Sequence, residues 1–216
     1  MIELIVVCEG HTEAQFVDTV LGPALPHLRV ATRNLGGHLK FDRVKTFLRN
    51  TLRSSSRPYV TTFFDLYALD KRFPDFTTTR ALTDPLRRAQ KLEEALTAKL
   101  VDVAGCRPEQ FLPHIQPHEF ESLLFADVDQ LIRRKADWKA HAEPLHDARN
   151  RALSPEHIND GPETHPSKRL AGLKPGYSKR IDGPALADAI GLSKLRKECK
   201  HFDRWLKRLE KLKPLR

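Results

Sequence analysis

The sequence has 216 residues, of which 40% are apolar, and it carries a formal net charge of +9. This length suits one large domain or two small ones, and the apolar content is enough for a hydrophobic core. No apolar run approaches the ~20 residues of a membrane-spanning helix, and the three widely spaced cysteines exclude a disulfide framework. We therefore expect a cytoplasmic protein with reduced cysteines, no secretory leader and no membrane association.

In chain order, strands and helices alternate. The apolar run at residues 2–8 predicts a strand buried on both faces, which is typical of a parallel sheet. Thr12 and Gln15 fit a capping box, so a helix is expected from about Glu13 to Gly22. The further predicted elements are strands at 28–32, 59–64 and 111–116 and helices at 41–52, 84–103 and along the segment HEFESLLFADVDQLI. This order predicts an open α/β fold with a mostly parallel sheet flanked by helices.

The C-terminal segment has a helical pattern and is strongly basic. Residues 193–216 carry ten Lys or Arg against three acidic residues, a net +7 that leaves +2 for the rest of the chain. Most basic residues lie opposite one apolar helix face, which is formed by Leu195, Cys199, Phe202, Leu206 and Leu209. We predict an α/β core at 1–126 and a helical, basic extension at 127–216 packed on it. The basic face indicates a phosphate-bearing or acidic partner, and a merely solvated surface is the alternative.

Two predicted strands end at a carboxylate. Glu9 follows the first strand, and Asp65 follows the strand at 59–64. Because ligands of open α/β sheets bind beyond the carboxyl ends of the strands, we expect these side chains to converge there. Gathered carboxylates repel one another unless a cation is bound, and an all-oxygen site suits Mg²⁺ or Mn²⁺. The sequence therefore predicts a divalent metal site, with Gly10 allowing a sharp backbone turn beside it.

Several sequence blocks resemble known families. VVCEGHTE and TTFFDLYALD resemble the Toprim domain, the metal-binding phosphotransfer module of topoisomerases, primases and overcoming-lysogenization-defect nucleases. The whole chain resembles an uncharacterised bacterial Toprim-like family, through the ordered blocks VCEGHTEAQF, FFDLYALDKRFPDF, HEFESLLF, INDGPETHPSKR and CKHFDRWL. A Toprim strand usually offers DxD, whereas Leu66 and Tyr67 follow Asp65 here, so the second aspartate is missing.

The resemblance implies metal ligands that replace the missing aspartate. Glu13 matches the second acid of the EGxxD or EGxxE pattern of the related nucleases, although the helix dipole also favours an acid in the first turn. Glu119 and Glu121 lie about 200° apart on an ideal helix, so one of them faces the metal unless the first turn frays. Asp70 is either a ligand or an ordinary loop residue. The expected metal ligands are Glu9, Glu13, Asp65, Glu119 and Glu121.

Basic residues follow in a Pro- and Gly-rich stretch, GPETHPSKRLAGLKPGYSK. The related nucleases place a lysine near the metals, and by that resemblance Lys168 is the candidate that stabilises transition-state charge, beside the catalytic carboxylates of Glu9 and Asp65. For any single lysine here, including Lys174, an ordinary surface charge is the alternative. Tyr177 is expected to pack, because nothing near it in sequence would activate it as a nucleophile. The predicted nucleic-acid contacts are Lys168, Arg169, Lys179, Lys200 and Lys207.

A zinc site is not expected from the histidines and cysteines. His118 and Glu119 do not complete an HExxH motif because residue 122 is serine. Cys199 and His201 lack partners at zinc spacing. The expected metals therefore remain Mg²⁺ or Mn²⁺ at the acidic edge of the sheet.

The resemblance implies a metal-dependent nuclease that hydrolyses phosphodiester bonds in DNA or RNA. Members of such families often sit beside an AAA- or ABC-type ATPase in predicted phage-defence loci. This chain has no GxxxxGK[ST] motif, so ATP hydrolysis would require such a separate partner. One alternative is a non-catalytic module that binds nucleic acid or a partner, with the second metal lost. Hydrolysis of a small phosphorylated substrate is another, and a homodimer is left open.

Overall fold

The computed structural model describes residues 1–37, 39–134, 136–159, 165–173 and 176–215. The sheet has five strands, all paired in parallel: β1 (Ile2–Cys8), β2 (Leu28–Asn34), β3 (Tyr59–Asp65), β4 (Phe111–Leu112) and β5 (Ile115–Gln116). The strand order is β2-β1-β3-β4, and β5 pairs with β3 beyond the end of β4. The prediction of an α/β fold with a mostly parallel sheet is confirmed.

Helices make up most of the rest of the described chain. The α-helices are α1 (His11–Phe16), α2 (Gly22–Ala24), α3 (Phe41–Leu52), α4 (Pro85–Ala104), α5 (Glu121–Leu124), α6 (Val128–Arg134), α7 (Ala142–Asn150), α8 (Pro166–Ala171), α9 (Lys179–Ile190), α10 (Leu192–Glu198) and α11 (Lys200–Glu210). A π-helical turn at Val17–Leu21 connects α1 to α2. Within the described ranges, no helix combines the length and apolarity that crossing a membrane requires.

The alternation of side chains along β1 fills a core on each face of the sheet. Leu4, Val6 and Cys8 lie in one apolar cluster, whereas Ile5 and Val7 lie in another, because successive strand residues face opposite sides. All five side chains are buried. Burial on both faces explains why this strand is a continuous apolar run instead of an alternating one.

Helices α3 and α4 cover the cluster that contains Ile5 and Val7. Val44 and Leu48 of α3 and Leu92 of α4 are almost completely buried there. Spacings of three or four residues place the apolar side chains of each helix on one face. The helices predicted at 41–52 and 84–103 are confirmed, the second with bounds shifted by one residue.

The opposite cluster joins the sheet to the C-terminal helices. The ring of Phe16 in α1 lies 6.0 Å from Phe63 of β3, 5.3 Å from Phe120 and 6.1 Å from Phe202 of α11, measured between centroids. All the tail residues predicted to share a face are buried in this cluster: Leu195, Cys199, Phe202, Leu206 and Leu209. Residues on both sides of position 126 thus share one core, and a division into 1–126 and 127–216 stays a prediction.

Two predicted helices are interrupted. HEFESLLFADVDQLI forms two short helices, α5 and α6, with a break after Leu124. His118 has a left-handed backbone with φ +62° and cannot begin a regular helix, so α5 starts only at Glu121. The Asp127 carboxylate then accepts the Gln130 backbone N–H at 2.9 Å and starts α6. In the basic tail, α10 and α11 are separated at Cys199, whose backbone is extended.

Candidate functional site

The structure brings Glu9 and Asp65 together at the carboxyl edge of the sheet. Glu9 directly follows β1 and Asp65 ends β3, and these two strands are neighbours. The Glu9 backbone N–H donates to Phe63 O at 3.3 Å, and the Asp65 backbone N–H donates to Glu9 Oε2 at 3.4 Å. This is the edge at which open α/β sheets bind ligands.

Helix α1 adds Glu13 to the same place. Its N-cap is Gly10 and not Thr12 as predicted, because Glu13 Oε2 accepts the Gly10 backbone N–H at 3.0 Å. A Cβ on residue 10 would lie 3.0 Å from that oxygen, so glycine permits the close approach. Glu13 is 2% exposed, and its other oxygen, Oε1, is buried without a hydrogen-bond partner among the described residues.

Of the two acids in the HEFE segment, Glu121 is the one that faces these carboxylates. It begins α5, is fully buried, and accepts the Tyr177 hydroxyl on Oε1 at 3.1 Å. Glu119 precedes the helix and points elsewhere, because its Oε1 accepts the Ser167 backbone N–H in α8 and lies 3.0 Å from His165 Nδ1. In this structure Glu119 therefore orients the start of α8.

The acidic cluster, which consists of Glu9, Glu13, Asp65 and Glu121, holds the ammonium group of Lys179. Lys179 Nζ lies 3.1 Å from Glu121 Oε2, 3.2 Å from Asp65 Oδ2 and 3.8 Å from Glu13 Oε1. The sequence predicts Lys179 as a nucleic-acid contact, but here its ammonium contacts carboxylates. It begins α9, and no local pattern links it to strand ends more than a hundred residues earlier.

Burial and mutual repulsion favour protonation of the acidic cluster. Burial, followed by the charge of Glu13, raises the pKa of Glu9 to about 7. Burial also raises the pKa of Asp65 and of Glu121, although Lys179 acts to lower both. Burial alone would lower the pKa of Lys179, but Asp65 and Glu121 outweigh it, and the pKa of this lysine is raised. Four acids around one ammonium leave the cluster short of positive charge.

This donor set fits a hard divalent cation. The donors are carboxylate oxygens from four separate places in the chain. Glu13 Oε1 faces Lys179 and is buried, with no hydrogen-bond partner in the part of the chain that the structure describes. A buried carboxylate is costly unless it is paired or binds a metal. Mg²⁺ and Mn²⁺ prefer carboxylate oxygens as ligands. The residues that could hold such an ion are Glu9, Glu13, Asp65 and Glu121.

Tyr67 and Asp70, which follow Asp65 in the sequence, do not belong to the acidic cluster. Tyr67 stands where the second aspartate would be, and its hydroxyl lies 2.9 Å from His118 Nδ1. Asp70 accepts the Phe41 backbone N–H at 3.2 Å and pairs with Arg72, so it stabilises the start of α3. Glu121, supplied by a different element, is the carboxylate that adds to the strand-end acids.

The other predicted basic contacts lie on the surface of the C-terminal helices. Lys168 is exposed on α8, and the ammonium that contacts the acidic cluster belongs to Lys179. Arg169 is half-buried, Lys200 is exposed, and Lys207 pairs with Asp203 at 2.7 Å. Lys174 lies outside the described residues. The nucleic-acid and transition-state roles of these side chains stay predictions.

A second group of metal-ligating side chains was not found from the sequence. Glu93, His114 and His201 could hold a metal ion, because one ligand atom from each lies within 4.8 Å of the other two. They come from α4, the link between β4 and β5, and α11. No spacing motif connects residues so far apart, and the sequence suggests only Cys199 as a neighbouring metal ligand for His201. The position of His114 in the strand predicted at 111–116 is the one sequence feature that could have pointed to this group.

Comparison with known proteins places these features in a family context. A family described as "Domain of unknown function (DUF4276)" matches residues 8–210. No curated protein matches the sequence. A solved structure of the C-terminal region of the Xanthomonas campestris pv. campestris OLD protein is similar over 96% of this chain and 93% of that chain, with 13% identity and a TM-score of 0.47. We draw no functional inference from a likeness at this level.

Proposed function

This chain belongs to the DUF4276 family, and we propose that it is a divalent-metal-dependent nuclease that cleaves phosphodiester bonds in DNA or RNA. The observation that carries the proposal is the acidic cluster. Three buried carboxylates, those of Glu13, Asp65 and Glu121, lie within 3.8 Å of the Lys179 ammonium at the ligand-binding edge of a parallel sheet. The partly buried Glu9 joins them by accepting the Asp65 backbone N–H. The sequence blocks that resemble Toprim nucleases include two of these acids, Glu9 and Asp65.

The acidic cluster, Tyr177 and Lys179 would have different roles in the proposed reaction. Glu9, Glu13, Asp65 and Glu121 would hold the metal, which when bound supplies Lewis-acid activation of water and charge neutralisation at phosphate. Tyr177 donates to Glu121 and fixes the orientation of that carboxylate. Lys179 brings a positive charge beside these carboxylates, where it can offset the charge of a phosphate group. Of the lysines considered, Lys179 is thus better placed for this role than the exposed Lys168.

The basic C-terminal surface is the proposed binding region for nucleic acid. Arg196, Lys197, Lys200 and Lys207 line a shallow groove of about 520 Å³ beside α10 and α11. Asp203 lies in the same groove and pairs with Arg196 and Lys207, so part of this charge is internally compensated. The excess of positive charge still favours a polyanion, through contacts that weaken with salt. We propose a separate ATPase of the AAA or ABC type and a role in phage defence as its setting.

Cleavage of supercoiled plasmid in the presence of Mn²⁺ or Mg²⁺ tests the proposal. We expect nicking by the wild-type chain and a loss of about a hundredfold or more in Glu9→Gln. Glu3→Gln is the matched control, because Glu3 lies on β1, the strand that Glu9 follows, and pairs with Arg29 outside the acidic cluster. The control should cleave at the wild-type rate.

The other outcomes separate the alternatives. Metal-dependent plasmid binding without any cleavage would replace the nuclease with a non-catalytic binding module. Hydrolysis of nucleotides or other small phosphoesters, with intact plasmid, would indicate a small-molecule phosphohydrolase. Equal cleavage by Glu9→Gln and the wild type would assign the activity to a contaminant and remove support for the proposal.

A further inference from the structure

A buried cluster of Glu93, His114 and His201 joins three elements on the side of the sheet that packs against α11. Glu93 Oε1 lies 2.8 Å from His201 Nε2 and 3.6 Å from His114 Nδ1. His114 is fully buried and His201 is 3% exposed, while the Glu93 side chain retains 12% exposure. The cluster does not include any residue of the acidic cluster, and its chemistry is independent of the proposed nuclease activity.

The hydrogen bonds around His114 determine which ring nitrogen carries the proton. Gln116 Nε2 donates to Ser122 Oγ at 3.1 Å, so Gln116 Oε1 is the acceptor that lies 3.1 Å from His114 Nε2. The proton therefore resides on Nε2. Burial lowers the pKa of His114 well below its usual value, so the ring does not take up a second proton.

His114 Nδ1 is consequently a bare lone pair in a buried place. Among the described residues it has no hydrogen-bond partner, and it faces Glu93 Oε1, which is itself an acceptor and takes the Ile115 backbone N–H at 2.8 Å. Two electron-rich atoms facing each other in a dry interior are unfavourable unless a cation or a proton lies between them. Ring stacking keeps the imidazole in this orientation, because His114 stacks with Trp205 at 4.5 Å and with His201 at 5.1 Å, measured between centroids.

We propose that Glu93 Oε1, His114 Nδ1 and His201 Nε2 bind one transition-metal ion of the zinc class. Tetrahedral zinc requires ligand atoms separated by roughly 3.4 Å, and the observed separations of 2.8 and 3.6 Å bracket that value. Imidazole nitrogen with one carboxylate suits zinc or cobalt and not magnesium. Gln116 supplies the outer hydrogen bond that orients a metal-ligating histidine.

The bound ion would clamp α11 and α4 to the sheet and keep one coordination position for water. A groove of about 490 Å³ borders Glu93 and gives access from solvent. Arg204 and Arg208 line that groove and oppose the charge of a cation. Glu156, which is buried and accepts the His201 backbone N–H at 2.9 Å, supplies a compensating carboxylate.

The competing occupant of the cluster is a proton on His201. Burial acts to lower the pKa of His201, but Glu93 outweighs it and the pKa is raised. In that case His201 donates to Glu93 and the cluster is a buried ion pair without metal. The two occupants differ in what they do when a transition metal is added, so they can be distinguished directly.

Tag-free protein, freed of metal with a chelator and titrated with Co²⁺ or Zn²⁺, provides the test. The Glu9→Gln background weakens competing metal binding at the acidic cluster, and the tetrahedral Co²⁺ bands are read from the site that contains histidine. We expect one equivalent of metal, visible absorption bands of tetrahedral Co²⁺ that Zn²⁺ abolishes, and a higher Tm with Zn²⁺. His201→Gln should bind Zn²⁺ about a hundredfold more weakly or worse, and Gln116→Leu about tenfold to a hundredfold more weakly.

His146→Gln is the matched control, because His146 is a surface histidine paired with Asp129. It should bind Zn²⁺ like its parent. The Co²⁺ titration of the parent needs no substitution in the cluster, so it is decisive even if His201→Gln folds poorly. Absence of the tetrahedral bands, or bands that persist unchanged in a folded His201→Gln variant, would overturn the proposal and leave the proton as the occupant.

Discussion

Lys179→Met separates the two things that Lys179 does in this structure. The lysine compensates the acidic cluster, and it stands where a metal ion would have to bind. Its removal should therefore destabilise the metal-free protein and at the same time tighten metal binding. Opposite signs on two measurements of one variant make the prediction demanding.

The magnitude follows from the contacts of the ammonium. Removing one partner of a buried ion pair commonly costs about 3 to 5 kcal/mol. The Lys179 side chain is 41% exposed, so solvent screening reduces this to about 2 kcal/mol. If metal binding must displace those contacts, their absence tightens the metal dissociation constant by the same free energy, which is about thirtyfold.

Urea unfolding in chelator and Mn²⁺ titration by calorimetry, both without nucleic acid, measure these effects. Lys194→Met is the matched control, because Lys194 is 39% exposed and pairs with Glu198 at 3.2 Å on the protein surface. It should change stability by less than about 1 kcal/mol and leave Mn²⁺ affinity unchanged. Equal or weaker Mn²⁺ binding by Lys179→Met would refute the reasoning that lysine and metal compete for one place.

Two further predictions concern the polar side chains of His118, which is buried, and Tyr177, which is partly buried. Burial lowers the pKa of His118 from 6.5 to about 4, so the folded protein binds this proton less readily than the unfolded chain does. The folding stability linked to the neutral imidazole is therefore fully present above pH 6.5 and is lost as pH falls toward 4. Between pH 7 and pH 5 this loss is about 2 kcal/mol. His118→Asn tolerates the left-handed backbone and should abolish this pH dependence in urea unfolding, whereas the surface variant His146→Gln should keep it. Tyr177→Phe should cost about 1 to 3 kcal/mol in the same assay, because it leaves a buried Glu121 oxygen without its donor, and an unchanged stability would show that Lys179 alone satisfies that carboxylate.

Features encoded by local pattern were predictable from the sequence. The apolar run of β1, its end at Glu9 and the alternation of strands and helices fix the parallel sheet and its ligand-binding edge. Glu9 and Asp65 could be placed together because the carboxyl ends of neighbouring parallel strands share that edge. The helical faces of α3, α4 and the tail were equally readable, because burial follows the 3.6-residue period.

Features that depend on tertiary contacts were not predictable in this way. Helix periodicity could not distinguish Glu119 from Glu121, because His118 adopts a left-handed backbone and moves Glu119 out of the helix. Lys179 joins the acidic cluster through the packing of α9 against α1 and α5. The same holds for Glu93 and His201, which meet across the interface of α4 and α11.

The contact between Asp65 and Phe120 explains how a chain without DxD still gathers several carboxylates. Asp65 Oδ1 accepts the Phe120 backbone N–H at 2.8 Å, which ties the strand end to the residue just before Glu121. The strand-end acid thereby positions the segment that supplies another acid, and a second aspartate on β3 is not needed for this. Because one oxygen of Asp65 serves that structural bond, the other, Oδ2, remains for Lys179 or a metal. Asp65 and Glu121 should therefore act as a unit, so that loss of either carboxylate also weakens the contribution of the other.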